Sequence, residues 1–174
     1  MKPMPTILVC TSSEPSIEDF TKRYIQAVDR ALSNQPYHVV VTMDRRFASC
    51  VGDRAICLFD FPSHDALLPM VDAVVTHAGL GTLQKVMRYG KPMVVVPSYV
   101  GQDDLARQCE ALGVGVSLEL HTPSTGTSER IAAAVARTLD DEDMKRKCES
   151  LKTKLESLDA NKKCADAIEK FLCG

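Results

Sequence analysis

A chain of 174 residues that is 45% hydrophobic and 25% charged can bury one sizeable core, and 21 Lys plus Arg against 23 Asp plus Glu leave a formal charge of −2. With no Trp and 5% aromatic residues it lacks the basic and aromatic signature of a nucleic-acid binder. No apolar run approaches the roughly 20 residues of a membrane span, and "TILVC" is too short for a signal-peptide core. The seven cysteines (Cys10, Cys50, Cys57, Cys109, Cys148, Cys164, Cys173) are odd in number and form no C-x-x-C pair. That pattern speaks against a disulfide framework or a zinc site and for inert buried thiols in a reducing, cytoplasmic setting.

Short β-branched runs alternate with longer helical patterns, which predicts a parallel sheet covered by helices. The expected strands are 6–10, 38–42, 55–59, 73–76, 93–96 and 115–119, several without polar alternation, as strands buried on both faces should be. Between the first two, Ile17, Phe20, Tyr24, Val28 and Leu32 recur at helical spacing, with Ser16 as the expected N-cap and Asp19 completing a capping box. A helix over 82–89 buries Leu83, Val86 and Met87 and stops at Gly90 and Pro92. The next, over 103–113, uses Leu105, Cys109 and Leu112 and ends at Gly113. After the turn-rich loop "HTPSTGTS", Thr127 or Ser128 caps "ERIAAAVARTL". Met144, Cys148, Leu151, Leu155 and Leu158 then form a stripe expected to pack on the core, and Asn161 caps a final helix carrying Cys164, Ile168, Phe171 and Leu172. The whole of 1–174 reads as one domain, with 141–174 as C-terminal helices and no internal repeat.

The segment "HAGLGT", 77–82, lies where the fourth strand hands over to a helix. In an open parallel sheet, ligands bind outside the carboxyl ends of the strands. Gly79 and Gly81 remove side chains that would hold a ligand away from the backbone, and the first amides of the helix have no partners inside it. Those amides and the helix dipole favour an anion such as phosphate, the dipole contributing about 0.3 to 1 kcal/mol at an exposed end. His77 and Thr82 add convergent donors, although a strand-end histidine bonded to backbone and glycines that serve tight packing are the simpler alternatives. The turn is neither a Walker loop, since Thr82 is followed by Leu83 and Gln84, nor a dinucleotide fingerprint, which would follow the first strand.

From 61 to 119 the chain resembles the C-terminal, donor-binding domain of the UDP-glycosyltransferase superfamily with the GT-B fold, nearest its macrolide and antibiotic branch. The residues that carry the likeness are Pro62, Leu67-Leu68, Asp72-Ala73, His77-x-Gly79-x-Gly81-Thr82, Gly90-Lys91-Pro92, Pro97, Gln102, Ala106-Arg107 and Gly113-x-Gly115. The resemblance implies a Rossmann-like α/β domain, a six-stranded parallel sheet with helices on both faces that forms one half of a GT-B enzyme. It also implies a UDP-sugar, as substrate rather than cofactor, in the crevice above the strand ends. His77, Ala78, Gly79, Gly81 and Thr82 match the diphosphate turn, Phe61, Pro62 and Ser63 the base-side loop, and Ser12 and Ser13 a small-residue loop near the phosphates. Gln102 matches the glutamine of an Asp-Gln pair that contacts the donor sugar. Gly101 stands at that aspartate's place, so Asp103 is the substitute candidate, and the family's Trp position is Asp60. An ordinary solvated helix start is the alternative for Gln102 and Asp103.

The acceptor and the catalytic base belong to an N-terminal domain, so no catalytic residue is expected in this chain, and no metal ligand. His38, His64 and His121 show no carboxylate orienter such as a base requires, and each reads as solvated or structural. Asp103-Asp104 and Asp140-Asp141 read as helix-start caps and solvated charges. The expectation is therefore a glycosyltransferase domain that transfers a hexosyl group with inversion, inactive alone, with its acceptor domain in cis or in trans. In the first case residues 1–5 are a linker remnant. In the second the chain is the donor subunit of a two-chain N-acetylglucosaminyltransferase acting on dolichol-linked sugar. A non-catalytic nucleotide-sugar-binding module is a further alternative, and an epimerase would need acid and base carboxylates that the sequence does not place.

Overall fold

The computed structural model describes residues 3–12, 14–60, 62–118 and 126–173. Six strands, β1 (Thr6–Cys10), β2 (His38–Met43), β3 (Ile56–Phe59), β4 (Ala73–Thr76), β5 (Met93–Val95) and β6 (Gly115–Ser117), form one sheet in the order β3-β2-β1-β4-β5-β6. Every neighbouring pair is parallel. Each expected strand is present, β1 and β4 with the expected bounds and the others with one end shifted by a residue or two, Glu119 lying outside the described residues. Ile7, Leu8, Val74, Val75, Met93, Val94 and Val95 are fully buried, which is why these runs carry no polar alternation. β3 lies on the edge, and its Ile56 is correspondingly exposed.

Parallel neighbours need crossover connections, and helices supply most of them. They are α1 (Glu18–Leu32), α2 (His64–Leu67), α3 (Leu80–Arg88), α4 (Asp103–Ala111), α5 (Thr127–Asp140), α6 (Glu142–Ser157) and α7 (Ala160–Cys173). Helix α5 packs on α1 and on β4, β5 and β6, while α3 packs on β4 and α6. A 3-10 turn, Arg45–Cys50, stands between β2 and β3. Gly90 takes a left-handed φ of 62°, which ends α3 as its sequence predicts.

Several local expectations are corrected. Ser16 does not cap α1: it sits in a 3-10 turn, Pro15–Ile17, where the Glu14 carboxylate accepts its N–H at 3.1 Å, and the α-helix starts at Glu18. Helix α3 starts at Leu80 rather than residue 82. Leu112 falls just past the end of α4 and is exposed. Gly126, at φ 86°, precedes α5, so Thr127 is its first residue and is buried, while Ser128 lies inside the helix. Asn161 lies within α7, and it is the Asp159 carboxylate that accepts the Lys162 N–H, at 3.4 Å. Cys10, Cys109 and Cys148 are buried, Cys50 and Cys57 partly so, and Cys164 is exposed.

The largest departure concerns the C-terminal stripe. Met144 and Cys148 are buried and Leu151 packs on the core, but Leu158 is exposed, and so are Ile168, Phe171 and Leu172 on α7. An amphipathic pattern reports that a face wants cover, not which surface covers it. Asp141, by contrast, is a working cap: its carboxylate accepts the Met144 N–H at 2.9 Å at the start of α6. Replacing it with Ala should lower stability by about 1 kcal/mol, read as a lower midpoint in urea unfolding.

Candidate donor site at the sheet's switch point

The strand order reverses between β1 and β4, which are paired although more than sixty residues apart, Cys10 opposite Thr76. Chain leaving β1 turns one way and chain leaving β4 the other, so a crevice opens between the two loops. Its walls are Thr11 and Ser12 on one side and His77, Ala78 and Gly79 on the other. Ser12 is buried and its hydroxyl accepts the Glu14 N–H at 3.0 Å. Ser13 lies outside the described residues.

His77 is 8% exposed, and its Nδ1 stands 3.5 Å from the Cys10 carbonyl oxygen. A carbonyl only accepts, so Nδ1 carries the hydrogen and Nε2 of the neutral ring is a bare acceptor. The same Cys10 oxygen accepts the buried Tyr24 hydroxyl at 3.3 Å, which ties α1 to the end of β1. Burial holds the His77 imidazole below the ordinary histidine range; the Cys10 carbonyl opposes this and nearby His64 adds to it. Burial likewise pushes the Cys10 thiol up to about 12, so it is an inert packing group.

The two glycines serve different purposes. A Cβ on Gly79 would lie 2.8 Å from His77 Nε2, so its absence makes room for the ring. A Cβ on Gly81 would meet nothing within 4 Å, so its absence leaves open space beside the first turn of α3. Left-handed backbone is needed at neither glycine; it falls on Ala78, at φ 70°, which is fully buried and turns the chain from strand to helix. Gly79 is the N-cap and offers no side chain, and the first intrahelical bond runs from the Leu83 N–H to the Gly79 carbonyl at 3.0 Å. The amides of Leu80, Gly81 and Thr82 therefore precede the hydrogen-bonded ladder, beside half-buried Thr82.

Opposite, Pro62 and Ser63 lead into α2, and the exposed Ser63 hydroxyl donates to Asp65 at 3.3 Å. Phe61 lies outside the described residues, as does His121. His64, read from sequence as solvated or structural, is held by β2. Its Nε2 is 3.1 Å from the Thr42 hydroxyl, which itself donates to the Val9 carbonyl at 3.3 Å, so the ring donates. Burial and then the Lys85 charge lower its affinity for a proton, with Asp65 opposing. Lys85 on α3 pairs with Asp65 at 2.8 Å and so braces α2 against α3. Thr42 was missed in sequence; its only signal was a hydroxyl at the end of an otherwise apolar strand. His38 is exposed at the start of β2, at the opposite end of the strands from the crevice.

Gln102 and Asp103 are both buried, which corrects the solvated reading. Gln102 Oε1 accepts from the Ser98 N–H at 2.9 Å and the Ser98 hydroxyl at 2.8 Å, tying down the loop after β5. Asp104 pairs with Arg107 at 2.7 Å on the surface. Among the described residues no cluster of three or more His, Cys, Asp or Glu could hold a metal ion, and no helix is long and apolar enough to cross a membrane.

The family model described as "Erythromycin biosynthesis protein CIII-like, C-terminal domain" matches residues 27–170. The chain is 35% identical to a sterol 3-beta-glucosyltransferase of Vanderwaltozyma polyspora over 100 residues, 58% of this chain and 8% of that protein. It is 34% identical to the tylactone mycaminosyltransferase of Streptomyces fradiae over 119 residues, 67% of this chain and 26% of that protein. The spinosyn rhamnosyltransferase SpnG, solved with thymidine diphosphate, superposes with a TM-score of 0.74 at 20% identity, covering 90% of this chain and 42% of that one. At that identity the likeness shows the fold, and the chain spans less than half the length of each of these proteins. With the family model matched over most of its length and the GT-B half recovered in its sheet, the chain belongs to the erythromycin biosynthesis protein CIII-like C-terminal domain family, a glycosyltransferase domain.

Proposed function

We propose that this chain binds a nucleotide-diphosphate sugar, a UDP-sugar in the first instance, and presents its hexosyl group to an acceptor held by a separate domain in cis or in trans. The observation that carries the reading is the open space at Gly81, at the sheet's switch point, bordered by unladdered amides and by His77. A diphosphate there meets backbone N–H donors, the positive end of α3 and an imidazole that can take up a proton. These donors are fixed before the reaction, so they can stabilise the charge that grows on the departing diphosphate during an inverting displacement. The residues assigned here hold and release the donor; the base that activates the acceptor comes from the other domain. The exposed Ile168, Phe171 and Leu172 on α7 suit contact with that acceptor domain, which fits relatives of more than twice this chain's length.

Titrating the full chain with UDP and with thymidine diphosphate should move the amide resonances of Gly79 to Thr82 first. If neither nucleotide moves any amide signal, the reading fails. A non-catalytic binding module is favoured by Asp60, which sits at φ 63° and pairs with Arg45 at 3.7 Å where the family resemblance expects an aromatic platform. Sugar transfer from a labelled donor after adding an acceptor domain would exclude it.

A further inference from the structure

We propose that Tyr24 is a positioning residue of the donor site: its buried hydroxyl shares the Cys10 carbonyl with the His77 ring and so governs how firmly that carbonyl holds the imidazole, with Nε2 left bare at the start of α3. This role rests on the donor-site reading above and gives it a residue that touches no ligand.

The Cys10 carbonyl, at the end of β1, faces two side-chain donors. From α1 it accepts the Tyr24 hydroxyl at 3.3 Å, and from the turn after β4 it meets His77 Nδ1 at 3.5 Å. Unhindered bonds of these two kinds measure about 2.8 and 2.9 Å, so neither donor has the oxygen at full strength. Tyr24 is 1% exposed and its ring stacks on Phe20 with the centroids 6.0 Å apart, so packing aims the hydroxyl. Burial keeps the phenol protonated, and it remains a donor. His77 is equally confined, because a Cβ on Gly79 would lie 2.8 Å from its Nε2. Two fixed donors therefore divide one acceptor.

The division matters when a diphosphate arrives. An imidazolium is a stronger donor than the neutral ring, so proton uptake at Nε2 draws the shared oxygen toward Nδ1 and away from the Tyr24 hydroxyl. By competing for the group that stabilises the cation, Tyr24 lowers the proton affinity of His77. Of the charged groups nearby, His64 on α2 acts on this ring directly, while Lys85 on α3 and Asp65 on α2 act on His64. The Cys10 thiol, at about 12, and the Tyr24 phenol stay neutral throughout the histidine range.

Tyr24→Phe keeps the stacked ring and leaves more of the oxygen to His77. It should raise the ring's proton affinity by roughly threefold to tenfold, the worth of one neutral hydrogen bond. The pH window of UDP-glucose binding should then move up by about half a unit to one unit. A tyrosine that only braced α1 against β1 would, when lost, lower affinity at every pH and leave the window in place.

The test is NMR of nitrogen-labelled histidine rings in the full chain, free and titrated with UDP-glucose across a pH series, for the unmodified protein and Tyr24→Phe. The unmodified protein should show His77 as the Nδ1–H tautomer at high pH. In Tyr24→Phe the ring should titrate at higher pH and carry the binding window up with it. An Nε2–H tautomer in the unmodified protein, or a His77 titration that Tyr24→Phe leaves in place, with UDP-glucose still bound, would overturn Tyr24's role alone. Loss of affinity at every pH without movement of the window would do the same. Failure of the unmodified protein to bind UDP-glucose would overturn the donor site and Tyr24's part in it together.

Discussion

Gly81→Val should abolish measurable donor binding, by roughly 100-fold or more, while the protein unfolds at nearly the same denaturant concentration. A branched side chain at 81 enters the open space beside α3 and keeps a phosphate from the amides of Leu80 to Thr82. Each charge-assisted hydrogen bond lost contributes about 1.5 to 3 kcal/mol, so losing two suffices. The fold tolerates the change because no heavy atom lies within 4 Å of the new Cβ and residue 81 has no positive φ. In a helix Val is also no worse than Gly, so the stability change should stay within about 0.5 kcal/mol. Titration with UDP alongside urea unfolding checks both halves; a mutant that is unfolded, or one that still binds UDP as before, contradicts the assignment.

His77→Ala should weaken UDP-glucose binding by roughly 10- to 100-fold and remove its pH dependence. In the free protein burial keeps this imidazole below its ordinary 6.5, so it is neutral at pH 7 with Nε2 bare. A diphosphate beside it favours the imidazolium, which raises the pKa in the complex and makes binding take up a proton. Affinity should therefore fall as pH rises through the window between the free and the bound pKa, by up to tenfold per unit, and level off above it. UDP-glucose is the suitable probe, because its diphosphate does not itself titrate there. The ligand-free protein should show the complementary sign. With folded-state pKa values of His77 and His64 both depressed, the unfolded chain binds more protons below about pH 6.5, so stability falls on acidification. Pulse-free urea titrations at pH 5.5 and 7.5 would register it.

The central strands were legible because they are β-branched runs buried on both faces, and burial of that kind writes itself into local composition. The turn between β4 and α3 was legible for a different reason: a histidine and two glycines at a strand-to-helix boundary are residues that neither element would choose. Caps were read less well, since Ser16, Thr127 and Asn161 each had a competitor a residue or two away, in Glu14, Gly126 and Asp159, and local energies near 1 kcal/mol do not separate them. Gly79 and Gly81 look equivalent in sequence and are not, because only the path of the His77 ring makes one a clearance and the other an opening.

By itself the sequence determined the α/β class, the six strands, the strand-to-helix turn at 77–82 and the family likeness, all properties set by short-range pattern and spacing. The tertiary structure alone decided the strand order that opens the crevice between β1 and β4, and with it the meeting of Cys10 with His77 and of Thr42 with His64. It also decided that Gln102 holds its own loop and that the apolar stripe of α7 faces outward. These depend on contacts between segments far apart along the chain, where pattern records that a face is buried or a group bonded but not the partner that does it.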